Sequence, residues 1–114
     1  MQNGLRYPRF LWVIGLAAAL HGVNWGLLFW LIPPTEADVV LHYNVYFGVD
    51  LLGGWSQLLL IPITGAVALL LNAFLALYWQ AKEPVLAAIV ELGAVGVQLL
   101  CIIAIVALYF QNYA

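Results

Sequence analysis

Three long apolar runs, separated by short polar stretches, occupy most of this chain. They cover residues 10–32, about 55–80 and 84–110, and the first contains no charged residue. At about 1.5 Å per residue, each run is long enough as an α-helix to cross a hydrocarbon core of roughly 30 Å. The pattern predicts an all-α membrane protein, with a single three-helix transmembrane domain over residues 1–114 and one long loop.

Prolines and a short polar link mark the ends of the runs. Pro33 and Pro34 follow the first run, and Pro84 opens the third at its first turn, where a missing N–H leaves nothing unpaired. Pro62 predicts a kink or a late start in the second helix. Residues 81–83 alone join the second and third runs, which requires an antiparallel helical hairpin. The first run is too long for a signal peptide and lacks a clear cleavage site, so we expect it to remain as a transmembrane helix.

The composition is typical of an integral membrane protein. Hydrophobic residues make up 67% of the chain and charged residues 7%, whereas roughly a quarter of the residues of a soluble domain are charged. The three basic residues form no cluster that could bind phosphates, which argues against nucleic-acid binding. Cys101 lies inside an apolar run without a cysteine partner, so we expect a small packed residue and no disulfide.

The basic residues predict the orientation. Arg6, Arg9 and Lys82 all fall on one side of a chain that crosses three times, and the loop over residues 33–54 has none. The positive-inside rule then places the N-terminus in the cytoplasm of a bacterial-type inner membrane, with the loop and the C-terminus outside. Aromatic residues are expected at both interfaces: Tyr7, Trp12, Tyr78 and Trp79 inside, and Trp30, Trp55, Tyr109 and Tyr113 outside.

Polar residues inside the spans are the first candidates for function. Counting along the helices predicts two layers: Glu91, Asn72 and His21, with the first two roughly 10 to 12 Å from the inner surface, and Asn24, Gln98 and Thr64 near the midplane. A carboxylate at this depth costs a few kcal/mol, so Glu91 should face protein, protonated or bonded to Asn72 or His21. Two interpretations stay open. These residues hold helices together, or they form an ion or proton relay or a polar anchor for a partner helix.

Small residues on the first helix predict close helix packing. Ala18, Gly22 and Gly26 recur every four residues, and Gly15 lies on the same side. Such a stripe lets another helix backbone approach closely, either within the chain or between chains. Three helices alone bury little surface, so we expect a homo-oligomer or a membrane-protein partner within the lipid bilayer.

The loop holds the second group of candidates: His42, Asn44, Asp50 and Gly53. Asn is a poor ligand for transition metals and no second His or Cys completes a zinc site, so we expect no metal and no cofactor. Asp50 is instead expected to accept N–H bonds at the start of the second helix. The chain shows no nucleophile elbow, phosphate loop or paired catalytic carboxylates, so no catalytic residue is predicted.

The loop also resembles a known bacterial domain. The matching residues are His42, Asn44, Asp50 and Gly53, with Pro33-Pro34 upstream and Leu60-Ile61-Pro62 downstream. This pattern, over about Leu31 to Leu71, resembles the membrane domain of unknown function at the start of immunity proteins against the sporulation-delaying toxin. The chain departs from it at Val40, Gly48 and Val49. The resemblance implies toxin immunity or signalling in a few members and no defined chemistry in most.

The sequence thus favours a small integral membrane protein that acts by binding. It would be a subunit or modulator of a membrane complex, or an immunity-like or signalling-like factor. One alternative is a homo-oligomeric ion or proton pathway lined by Glu91, Asn72 and His21. Another is a membrane enzyme that uses His42 and Asp50 at the outer surface.

Overall fold

The computed structural model describes residues 7–44 and 48–113, with the backbone alone for residues 42–44 and 48–51. The helices are α1 (Pro8–Leu31), α2 (Leu60–Trp79) and α3 (Pro84–Tyr113), and a 3-10 helix (Trp55–Leu59) precedes α2. Two strands, β1 (Val39–Asn44) and β2 (Gly48–Gly53), lie between α1 and the 3-10 helix.

The predicted class is confirmed by the three helices. In the described part of the chain, α1, the 3-10 helix with α2, and α3 are each long and apolar enough to cross a membrane, as in a multi-pass membrane protein. Pro8 begins α1 because its missing N–H belongs to the first turn, where no intrahelical partner exists. The helix ends at Leu31, two residues before Pro33, because a residue that precedes proline disfavours the helical conformation.

The second span starts late as an α-helix, which is one of the two outcomes that Pro62 predicts. Its first residues, Trp55–Leu59, form a 3-10 helix, and α-helical geometry begins only at Leu60. An α-helix through this region would need an N–H on residue 62 to bond the carbonyl of Leu58, and Pro62 has none. The tighter 3-10 turn therefore occupies the stretch before the proline.

The predicted loop contains two strands, which the sequence pattern does not predict. β1 and β2 pair antiparallel, with Val40 opposite Leu52 and an irregularity in register around Leu41. At the far end of α3, Asn112 bonds to β1. Its side-chain Oδ1 accepts from the Val40 N–H at 2.8 Å, and its Nδ2 donates to the Val40 carbonyl at 3.1 Å. One amide side chain thus replaces a neighbouring strand at this point of the β-hairpin.

The helix α3 packs against both other helices, more extensively than those two pack against each other. Its buried residues recur at alternating spacings of four and three, the period of a coiled-coil seam: Ala87, Glu91, Ala94, Gln98, Cys101 and Ile105. A hydrophobic core closes the end of the bundle beneath the β-hairpin, formed by Leu28, Ile32, Val39, Leu58 and Ile105. The longest dimension of the protein is 51 Å, compared with roughly 30 Å for the hydrocarbon core of a bilayer.

Candidate functional site

A charged cluster joins the three helices near the turn between α2 and α3. The Arg9 Nε donates to Glu91 Oε1 at 2.8 Å, and its Nη2 lies 3.4 Å from both Glu91 Oε2 and Gln80 Oε1. The Gln80 amide Nε2 also donates to Glu91 Oε2. Glu91 is completely buried, whereas the Arg9 side chain is 49% exposed. Both carboxylate oxygens therefore accept hydrogen bonds from groups at the ends of α1 and α2.

This geometry corrects the predicted partners of Glu91. Neither Asn72 nor His21 bonds to it; the partners are Arg9 and Gln80. Arg9 lies in the first turn of α1, and its long side chain reaches a carboxylate two turns into α3. An unpaired charge at this depth would cost several kcal/mol, and the guanidinium offsets that cost.

A neutral polar cluster lies deeper in the bundle, with Gln98 at its centre. The Gln98 Oε1 accepts from Asn24 Nδ2 at 3.0 Å and lies 3.1 Å from His21 Nδ1. Its Nε2 donates to the Gly65 carbonyl at 2.8 Å, and Asn24 Nδ2 also reaches the Gln98 carbonyl at 3.2 Å. Gln98 and Asn24 are completely buried. A single glutamine thus hydrogen-bonds to both neighbouring helices.

An aromatic row extends this cluster toward the C-terminal end of α1. The Trp25 Nε1–H donates to His21 Nε2 at 3.0 Å, and the Trp25 ring stacks on Phe29. Phe29 in turn packs against Trp55 at 5.2 Å between ring centroids. The Trp55 indole donates to the Ile32 carbonyl at 2.6 Å, where the chain leaves α1 for the β-hairpin.

The two predicted polar layers are only partly formed. His21 belongs with Asn24 and Gln98, not with Glu91 and Asn72. Asn72 instead donates to the Val90 carbonyl at 3.1 Å, which links α2 to α3. Thr64 donates to the Leu60 carbonyl of its own helix and does not join the central cluster.

The glycines separate into two groups. A Cβ at Gly65 would lie 3.0 Å from Gln98 Oε1, and a Cβ at Gly93 would lie 3.2 Å from Asn72 Nδ2, so both glycines allow interhelical hydrogen bonds. On α1, a Cβ at Gly15, Gly22 or Gly26 would meet no atom of the described chain within 4 Å. The small-residue stripe of α1 therefore faces away from α2 and α3.

A groove between α2 and α3 offers a mainly apolar space of about 370 Å³. Its walls are Leu60, Ile61, Thr64, Val97, Leu100, Cys101 and Ala104. The Thr64 hydroxyl and the Cys101 thiol both donate to carbonyls of α2, so they are already engaged. The groove can accommodate an acyl chain or an apolar side chain.

The loop candidates are located in the β-hairpin. His42 and Asn44 lie in β1 and Asp50 in β2, and their side chains fall outside the described part of the structure. The predicted capping by Asp50 therefore stays a prediction; its backbone lies in a strand, four residues before the N-cap residue Gly54 of the 3-10 helix. Gly53 has a steric role, because a Cβ there would collide with Gln57 and Leu41.

Two contacts of the site were not predicted as such. The sequence pattern predicts only the end of a span at Gln80 and gives no role to Asn112. A signal exists for Gln80, since it and Arg9 both lie at the same end of the spans, toward which Glu91 is offset. No local pattern indicates that Asn112 bonds to a strand 72 residues earlier. Among the residues that the structure describes, no group of three His, Cys, Asp or Glu side chains could hold a metal ion.

The fold defines the class of this chain as a multi-pass membrane protein with three long apolar helices. No protein-family model matches the chain, and no curated protein or solved structure is significantly similar to it. The helix contacts and exposed surfaces are therefore the basis for a functional proposal.

Proposed function

We propose that this chain is a small protein of a bacterial-type inner membrane that acts by binding another transmembrane helix, as a subunit or modulator of a membrane complex. The observation that supports this proposal is the exposed small-residue face of α1, made of Gly15, Ala18, Gly22 and Gly26. We call this surface the α1 docking face.

The α1 docking face has the properties of a helix contact in lipid. Lipid tails are as apolar as leucine, so helices associate in a membrane through close packing, which small residues permit. Gly65 and Gly93 make such contacts within the chain. The buried residues of α1, among them Asn24 and Leu28, lie on the opposite side of the helix. The docking face is thus available to a helix from another chain, either a different membrane protein or a second copy.

The polar clusters favour binding over an ion or proton pathway. Both oxygens of Glu91 accept hydrogen bonds, and both ends of the Gln98 amide are bonded. Asn72 donates to a backbone carbonyl of the neighbouring helix. Groups that hold helices together in this way are engaged in structure and do not form a continuous line of exchangeable sites.

The proposal includes an orientation and an outer partner. Arg9 and Lys82 lie at one end of the bundle and the β-hairpin at the other, which supports a cytoplasmic inner end and an external β-hairpin. The resemblance over Leu31 to Leu71 supports an immunity-like version, in which the β-hairpin meets the partner outside the membrane. In that version the α1 docking face holds the chain in its complex.

Photo-crosslinking in native membranes tests the docking proposal. A photoreactive side chain at Gly22 is compared with one at Leu70, an exposed position on α2. We expect Gly22 to yield a defined protein adduct, whose identification by mass spectrometry distinguishes a second copy from a different protein. Lipid adducts alone at Gly22, or the same protein adducts at both positions, would contradict the proposal.

A matched pair of substitutions tests the same surface through its shape. Gly22→Ile and Gly96→Ile each add a branched side chain at a position where a Cβ would meet no other atom of the described chain within 4 Å. With the photoreactive group at Gly26, we expect Gly22→Ile to lower the adduct yield several-fold and Gly96→Ile to leave it unchanged. Equal yields from both variants would argue against the α1 docking face.

A further inference from the structure

The imidazole of His21 lies between two neighbours that require the same protonation state. The Trp25 indole donates to His21 Nε2 at 3.0 Å, so Nε2 must present a lone pair and carry no proton. The neutral ring then carries its proton on Nδ1, which lies 3.1 Å from Gln98 Oε1. The Gln98 amide is oriented independently, because its Nε2 donates to Gly65 and its oxygen accepts from Asn24. These contacts together specify a neutral His21 with the proton on Nδ1.

A second proton on His21 would act on one neighbour only. It would bind to Nε2 and face the Trp25 N–H, so that two donors would point at each other and their hydrogen bond would be lost. The bond from Nδ1–H to Gln98 would remain and become charge-assisted. The imidazole of His21 is only partly buried within the bundle.

The surroundings of His21 contain few groups that could compensate a charge. The groups that contact its ring are Trp25 on α1 and Gln98 on α3. The Gln98 amide bonds in turn to Asn24 on α1 and to the Gly65 carbonyl on α2, neither of which carries a charge. Glu91 lies seven residues before Gln98 on α3 and is paired with Arg9. The Trp25 contact is therefore the one that a change of charge on His21 alters.

We propose that His21 is a protonation site in the centre of the bundle, and that its charge state controls the contact with Trp25. When its imidazole is neutral, His21 connects Trp25 on α1 to Gln98 on α3. On protonation, the ring keeps its hydrogen bond to Gln98 and loses the one from Trp25. This inference concerns a proton-sensitive contact within the bundle and does not depend on the α1 docking face.

Nitrogen NMR of histidine tests the predicted tautomer directly. The chain contains two histidines, so a His42→Gln variant labelled with ¹⁵N-histidine in lipid nanodiscs reports on His21 alone. At about pH 8 we expect a neutral ring protonated on Nδ1, the form that free histidine disfavours. Acidification toward about pH 5 should protonate both nitrogens. A ring protonated on Nε2 at high pH, or one that stays neutral throughout this range, would overturn the inference.

Tryptophan fluorescence tests the release of Trp25, since a protonated imidazole quenches a neighbouring indole. The contribution of Trp25 to the total emission is measured at high pH, as the difference in emission between the unmodified protein and Trp25→Phe. On acidification, we expect the emission of the unmodified protein to fall by no more than this contribution. The transition should disappear in Trp25→Phe and in His21→Gln, whose amide can still accept from Trp25 and donate to Gln98. It should persist in Trp12→Phe, an exposed control. A transition that survives His21→Gln, with helicity unchanged by circular dichroism, would refute the assignment; if that variant does not fold, the NMR result decides.

Discussion

The pairing of Arg9 with Glu91 can be tested by a double-mutant cycle built from Arg9→Gln and Glu91→Gln. Glu91 is completely buried and keeps only the Gln80 amide when Arg9 is removed. Breaking a fully buried ion pair costs about 3–5 kcal/mol, and a surface pair contributes about 0–1 kcal/mol. Because Arg9 is half exposed, we expect an intermediate loss of about 2 kcal/mol in the free energy of unfolding for Arg9→Gln.

The reverse substitution should be milder. Glu91→Gln leaves a guanidinium that water and lipid headgroups can solvate, and the new amide can still bond to Gln80. We expect a loss of about 1 kcal/mol, the size of one net hydrogen bond. The double variant should be less destabilised than the sum of the two single variants, by about 1 kcal/mol or more, because neither charge is then left unpaired.

Reversible unfolding by SDS in mixed micelles, followed by far-ultraviolet circular dichroism, measures these differences. Lys82→Gln serves as the matched control, since it removes a cation at the same end of the bundle. Lys82 contacts the Tyr78 ring at 4.3 Å and no carboxylate is paired with it in the described chain. The reasoning fails if Arg9→Gln is no more destabilising than Lys82→Gln, or if the two single effects simply add.

Three further predictions concern other parts of the molecule. In spheroplasts, an impermeant thiol reagent should label Thr35→Cys and spare Gln2→Cys, and the opposite pattern would reverse the proposed orientation. Gly65→Ala should destabilise the protein by about 1–3 kcal/mol in the same unfolding assay, because the new Cβ crowds the Gln98 amide. The control Gly96→Ala places its Cβ in open space and should not lower the free energy of unfolding. Equal effects of the two substitutions would contradict a packing role for Gly65. Asn112→Ala should accelerate hydrogen exchange in β1 while leaving the helices protected, and unchanged exchange would show that the β-hairpin does not depend on this contact.

The spans could be predicted from the sequence because the requirement that creates them is local. In lipid, each backbone N–H and C=O must be satisfied within its own segment, so a crossing segment must be an apolar helix of sufficient length. Pro8, Pro33 and Pro84 then mark positions where a helix starts or ends. The seven-residue spacing of Glu91 and Gln98 also places them on the same face of α3, which the structure shows buried.

The sequence pattern did not predict the β-hairpin. Residues 39–53 include valines and leucines that favour strands, but an isolated two-stranded hairpin is marginal in water. Here the end of α3 supplies Asn112 to one strand, and the core of Val39, Leu58 and Ile105 lies beneath it. These contacts join residues far apart in the chain, so only the folded bundle supplies them.

The choice of polar partners was likewise made by the tertiary structure. Depth along a helix predicted that Glu91 and His21 would share a layer, yet Glu91 bonds to Arg9 and Gln80, and His21 bonds to Gln98. The sequence by itself determined three apolar spans and the need to bury their polar groups. Which groups meet depends on the rotation of each helix about its axis and on the reach of long side chains, and both are set only when the three helices pack together.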